Sequence, residues 1–194
     1  MAWQVEVAGW DANEVVFLDE TSTNTSMARL RGRAPRGVRV VGRVPRNQGP
    51  NVRCLAALTP TGIAAPLVIE GAIDGSVFLP WLREWLLPSL VPGTTIVLDN
   101  LSVHRNPDVR KAVAGAGCHL RFLPSYSPDF NPIELAFAKL KTHVRGTANR
   151  TYDTLVAAIG TGMDQISAAD AIAWYEHCGY RFPNNDGQPF RDSL

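Results

Sequence analysis

Two stretches of this sequence, EVVFLDE (14–20) and TTIVLDN (94–100), carry an apolar run straight into an aspartate, Asp19 and Asp99. Uninterrupted apolar runs of that length read as strands covered on both faces, which is how the sheet of an α/β domain is built. In such domains ligands bind at the carboxyl ends of the strands. If these two strands are parallel neighbours, each ending at its aspartate, the two carboxylates lie side by side. They then repel each other and lose hydration, so that one takes up a proton or a cation sits between them. Oxygen ligands with no His or Cys in their company point to Mg2+ or Mn2+.

The other segments extend this alternation. NVRCLAALTPTGIAAPLVIEG (51–71) is two apolar runs around Thr59-Pro60-Thr61-Gly62 and predicts a hairpin. Residues 74–93 place Phe78, Trp81, Leu82, Trp85 and Leu86 on one helical stripe that ends at Pro92-Gly93, with Pro80 early enough to sit in a first turn. Both tryptophans of the stripe are assigned to the core. Residues 106–117 predict a helix opened by Asn106-Pro107, and 118–125 predict another strand. A helix over about 132–146 follows, with Ile133, Phe137, Leu140 and Val144 inward, and 151–180 hold two more amphipathic segments. This order predicts an α/β domain with a mixed sheet flanked by helices over residues 1–150. Residues 151–194 are expected to form a C-terminal helical extension packed on the same domain.

Cys54, Cys118 and Cys178 are scattered and in no metal-ligand spacing, so they read as reduced core residues. The N-terminus lacks a signal peptide's pattern, and Pro, Gly or charge breaks every apolar stretch well short of about 18 residues. A cytoplasmic protein with no membrane partner is expected.

Charge is distributed unevenly. From Thr21 to Ile69 there is no Asp or Glu, while arginines occupy positions 29, 31, 33, 36, 39, 43, 46 and 53. This is either an arginine-rich solvated loop or a surface for an anionic partner such as nucleic acid, since the planar guanidinium can bind two phosphate oxygens at once. Glu134, in SYSPDFNPIELAFAKLK (125–141), has three readings: part of a helix cap with Asn131 and Pro132, a solvated charge, or one acid of a site assembled from distant segments. The helix that carries it should start at the same sheet edge as Asp99. Lys141 and Arg145 then recur on the flank of Glu134, seven and eleven residues on, where a phosphate backbone could run.

Together, VVFLDETSTNTSMARLRGRAPRG (15–37), IVLDNLSVHR (96–105) and LPSYSPDFNPIELAFAKLK (123–141) resemble the catalytic domain of DDE transposases of the mariner-like superfamily, in particular the bacterial IS-six-thirty-type enzymes. The resemblance runs from about Val15 to Tyr180. It implies a ribonuclease-H-like (integrase/transposase) fold, with Asp19, Asp99 and Glu134 as a catalytic triad holding two Mg2+ (or Mn2+) ions. Thirty-four residues separate Asp99 from Glu134, as the family pattern implies. The implied activity is cleavage at the ends of a DNA element, then transfer of the freed 3′ end into target DNA at a TA dinucleotide. His104 matches a histidine that follows the family's Asp-Asn pair, where it would touch a phosphate or orient a ligand. Arg29, Arg31, Arg33 and Arg36 follow the first acid as expected phosphate contacts, with Lys141 and Arg145 beside them.

One departure concerns the N-terminus. The chain begins some eighteen residues before Asp19, leaving no room for the helix-turn-helix modules of such transposases. The expectation is a downstream product of a split reading frame, or a truncated copy, with the terminal-repeat reader in an upstream half or partner and a dimer forming on DNA. A same-fold nuclease without strand transfer and a silent DNA-binding regulator stand as rivals. A phosphatase with an aspartyl nucleophile would need a second Asp where Thr21 stands.

Overall fold

The computed structural model of the chain describes residues 2–29, 31–42, 45–46, 49, 51–100 and 104–183. Its centre is a five-stranded mixed sheet in the order β3-β2-β1-β4-β5. Strand β1 (Val15–Asn24) lies in the middle, with β2 (Asn51–Thr59) antiparallel on one side and hairpinned into β3 (Gly62–Glu70). On the other side β4 (Thr95–Leu98) runs parallel to β1, and β5 (His119–Phe122) parallel to β4. The hairpin closes on Gly62, whose φ of 123° is a conformation that L side chains rarely adopt.

Side-chain alternation sorts the sheet into two apolar faces. Val15, Phe17, Val52, Cys54, Ala56, Leu58 and Val97 lie on one face, packed with residues of α4 (Pro132–Thr147), α5 (Tyr152–Asp164) and α6 (Ala168–His177). Val16, Leu18, Leu55, Ala57, Ile96 and Leu98 lie on the other, packed with residues of α2 (Gly75–Trp81) and α3 (Pro107–Gly115). Both faces are covered, which is why these strands read as unbroken apolar runs. A short helix α1 (Ala2–Val7), not anticipated from sequence, adds Trp3 and Val7 to the first core.

Helices α5 and α6 open with reciprocal caps, Thr151 with Thr154 and Ser167 with Asp170. From α6 the Tyr175 hydroxyl lies 2.8 Å from the carbonyl oxygens of both Val15 and Leu58. The Tyr180 hydroxyl accepts from Trp3 Nε1 at 3.0 Å and donates to Phe130 O at 2.7 Å. These contacts join the C-terminal helices to the sheet and to the turn before α4.

Three local expectations change. Strand β1 does not end at Asp19; it continues five residues to Asn24, because β2 pairs with it as far as Asn24↔Asn51. Pro80 sits inside α2 rather than in its first turn, and α2 passes into a π turn at Leu82–Leu86. A wider turn shifts the stripe, so Trp81 is buried while Trp85 is 54% exposed. All three cysteines are buried and free. Among the described residues no helix is long and apolar enough to cross a membrane.

Candidate active-site cleft

The parallel pair β1–β4 aligns Val15 with Thr95, Val16 with Ile96 and Phe17 with Val97. Continued by two residues, this register sets Asp19 beside Asp99, just past the end of β4. Asp19 is odd-numbered like Phe17, so alternation directs it to the face that carries α4, while Asp99, beyond the last paired residue of β4, lines the cleft from the strand's end. Strand β5 and the loop after it then deliver the N-terminus of α4 to the same edge. The result is a cleft of about 430 Å³ whose lining includes Asp19, Asp99, Asn100, Tyr126, Asn131 and Glu134. Acids far apart in the chain thus face one space, and Glu134 is a cleft acid as well as a first-turn residue.

Asp19 is the buried member, 8% exposed. Its Oδ1 accepts from the Glu20 backbone N–H at 2.7 Å and its Oδ2 from Asn131 Nδ2 at 2.8 Å. Burial raises its carboxyl pKa from 3.8 to about 7, against the lowering effect of the Glu20 hydrogen bond; the negative charges of Glu134 and Asp99 raise it further. In metal-free protein, folding therefore retains a proton on Asp19 that the unfolded chain loses near pH 4. Stability should fall as pH rises from about 4 to 7 and level off above. Thermal melts across that range should show the slope, and Asp19→Asn should flatten it.

Asn131 was legible only as a helix cap. It holds the N-cap position of α4 but makes no side-chain cap bond. Its amide is turned onto Asp19, and its buried Oδ1 has no hydrogen-bond partner. This residue is the clearest addition to the predicted site, because its asparagine-proline context signalled a helix start and nothing else. Serine there would restore a cap, worth about 0.5–2 kcal/mol over a non-capping side chain, while losing the tie to Asp19. Asn131→Ser should therefore keep or raise the melting temperature yet weaken Mn2+ binding by roughly 10–100-fold, the usual effect of removing a group that orients a ligand. Titration calorimetry would measure it, and unchanged affinity would remove Asn131 from the site.

His104 does not reach the surface. It is 0% exposed, packs against Phe78 with ring centroids 4.7 Å apart and the planes tilted by 44°, and sets Nδ1 2.6 Å from Oδ1 of Asp99. With Asp99 ionised, Nδ1–H donates and fixes the carboxylate's orientation. Of the two roles expected of His104, this position suits orienting Asp99 rather than touching a phosphate, because the ring is packed against Phe78 of α2 and away from solvent. Asn100 also acts inside the fold: its Nδ2 donates to Leu123 O and its Oδ1 accepts from Arg105 Nη2 at 2.6 Å. Glu20 lies outside the cleft lining, 3.9 Å from both Arg53 and His104 Nε2.

Tyr126 has a φ of 57° and stands fully exposed at the mouth. Of the predicted phosphate contacts, Arg29, Arg31 and Arg145 share a groove on the outer side of α4. Arg33 and Arg36 are exposed elsewhere on the loop, and Lys141 is half-buried; Arg43, named only as part of the arginine-rich stretch, lies outside the described residues.

A family model for the DDE superfamily endonucleases matches residues 14–156. The chain belongs to this family. No curated protein sequence matches it. Solved structures similar to this DDE endonuclease chain include the Mos1 mariner paired-end complex with Mn, at TM-score 0.74 and 12% identity over 92% of this chain and 56% of that one. They also include the catalytic domain of Mos1 mariner transposase, at TM-score 0.62 and 9% identity over 91% of this chain and 81% of that one. These likenesses establish the fold as that of the ribonuclease-H-like transposase catalytic domains. The chain spans little more than half the length of the paired-end protein.

Whether the cleft suits a divalent ion follows from its donors. They are carboxylate oxygens, the ligand type of hard cations, and the raised Asp19 pKa reflects a buried carboxylate facing like charges that a cation would offset. Among the described residues no three His, Cys, Asp or Glu side chains form a closed metal-holding group. The cleft fits such an ion by chemistry and openness rather than as a finished cage.

Proposed function

We propose that the chain is the catalytic domain of a DNA transposase, cutting and rejoining phosphodiester bonds with Asp19, Asp99 and Glu134. The observation that carries this reading is that acids from β1, the end of β4 and the start of α4 line one cleft in a DDE endonuclease chain. Asp19 and Asp99 would hold two Mg2+ or Mn2+ ions with Glu134 completing the set, and bound ions would activate the attacking oxygen and offset charge on the leaving one. The chain's own residues provide orientation: His104 holds Asp99, and Asn131 holds Asp19 while anchoring the turn that presents Glu134. In the first step a water oxygen bonds to phosphorus at the element end, and the phosphorus–O3′ bond breaks to leave a 3′-hydroxyl. That hydroxyl then attacks a target phosphate, one phosphodiester bond forming as one breaks.

Substrates in this proposal are element ends and target DNA, the latter at TA, within the cytoplasm at the nucleoid. A helix-turn-helix segment, fused upstream or on a partner chain, would read the ends, and two copies would meet on DNA. The bacterial IS-six-thirty-type assignment belongs to the same proposal.

The test is incubation with a precut, labelled element end and a target plasmid in Mg2+ or Mn2+. Joined product is the expected result. Cleavage without joining would make the chain a nuclease, and metal binding with neither would make it a silent remnant.

A further inference from the structure

The acid cleft lies at one end of α4; a different feature occupies the other. Arg29, Arg31 and Arg145 converge with Thr142 around a groove of about 500 Å³, and Arg29 also borders an adjoining one that includes His143 and Gly146. None of the three arginines has a carboxylate partner among the described residues, whereas Arg53, Arg121, Lys111 and Lys139 are all paired. Unpaired guanidinium groups gathered in one place repel each other, and an anion would offset that.

The groove is also built rather than accidental. Arg150 donates to the carbonyl oxygens of Thr25 at 3.0 Å and Met27 at 3.4 Å, fastening the start of the arginine segment beside the end of α4. Arg29 then lies along the helix flank against Gly146, where an added Cβ would come within 3.1 Å of its Nη2. A glycine inside a helix costs about 1 kcal/mol relative to alanine; here it leaves room for the guanidinium.

We propose that this groove is a second DNA-contacting site, which holds the phosphate backbone of duplex DNA away from the reacting phosphate. Helix geometry gives the spacing. Arg145 follows Glu134 by eleven residues, which is about 16 Å along the axis and about 20° around it, so both lie on one stripe of α4. A duplex lying along α4 advances 3.4 Å per nucleotide, so in that orientation the groove would hold phosphates about five base pairs from the cut. Recognition is by charge and planar two-oxygen contact, with no base reading. This inference rests on the DNA-processing function proposed above but not on catalysis.

Fluorescence polarisation of a labelled duplex in EDTA, at salt from about 50 to 200 mM, keeps the two apart. The triple variant Arg29→Ala, Arg31→Ala, Arg145→Ala should bind at least tenfold more weakly at the low-salt end. Its slope of log affinity against log salt should shrink by about 2–3, since each lost phosphate contact removes about 0.9. The triple Arg→Lys variant should keep most of the slope, and Arg83→Ala, an exposed arginine on the opposite side of the sheet, should match the wild type. Wild-type slope in the triple alanine variant, or no duplex binding by the wild-type chain, would overturn the groove. A lowered melting temperature with unchanged DNA binding would do so as well, because the arginines would then serve only the negative end of the helix dipole. Loss of cleavage in triad variants that still bind DNA in EDTA bears on the catalytic reading alone.

Discussion

Conversion of Asp19, Asp99 or Glu134 to its amide will reduce Mg2+- or Mn2+-dependent strand cleavage to background while the fold persists. Bound ions supply several kcal/mol of transition-state charge stabilisation. Loss of about 4 kcal/mol of it is a rate loss of roughly 10³-fold. The structure also explains why the fold should survive. Asp19 is buried among like charges, so Asp19→Asn removes a repulsion rather than a support. The new amide can keep the bond from the Glu20 N–H through its oxygen. Asn131 can turn its own amide so that Oδ1, unpartnered in the native cleft, accepts from the other end. Melting temperatures equal to or above wild type in EDTA, together with lost nicking of supercoiled plasmid, are the expected pair of readings. Full cleavage by any of the three variants would remove that acid from the mechanism.

Tyr175→Ala should be the most destabilising single change outside the cleft. The ring is fully buried, edge-on to Phe17 at 5.2 Å between centroids, and the hydroxyl sits between the Val15 and Leu58 carbonyls. Truncating a buried aromatic costs about 3–5 kcal/mol, much of the 5–15 kcal/mol that usually separates folded from unfolded domains. Tyr175→Phe isolates the hydroxyl and should cost about 1–3 kcal/mol, because it removes the single buried proton that lies between the two carbonyl oxygens. Urea unfolding measures both. The residue matters for the site too, since α6 packs on α4 and on the face toward which Asp19 points. A loss under 1 kcal/mol for the alanine variant would mean that α6 unfolds separately from the sheet.

Several elements were legible locally because their signals are local. The hairpin of β2 and β3 is marked by its turn residues, and the inward stripe of α4 by its spacing; Ile133, Phe137, Leu140 and Val144 are all buried as that spacing requires. The adjacency of Asp19 and Asp99 was conditional on parallel pairing of two strands, and β1 and β4 do pair in parallel. What lay beyond local reading was decided by partners. Strand β1 runs past Asp19 into Thr21 and Thr23, beyond the apolar run that marked it, because β2 offers a ladder there. Trp85 turned outward because a π turn, invisible to a fixed helical period, intervened. The burial of His104 depends on Phe78 and Asp99, which lie on different elements.

The sequence by itself determined which residues could do chemistry and which faces had to be buried, because composition, alternation and helical spacing are properties of neighbouring residues. Only the tertiary structure decided which polar groups would meet. Asn131 faces a choice between capping its own helix and binding an aspartate 112 positions away. Nothing near it in the chain sets that choice; the burial of Asp19 does, since a carboxylate withdrawn from water needs a donor wherever the fold can bring one.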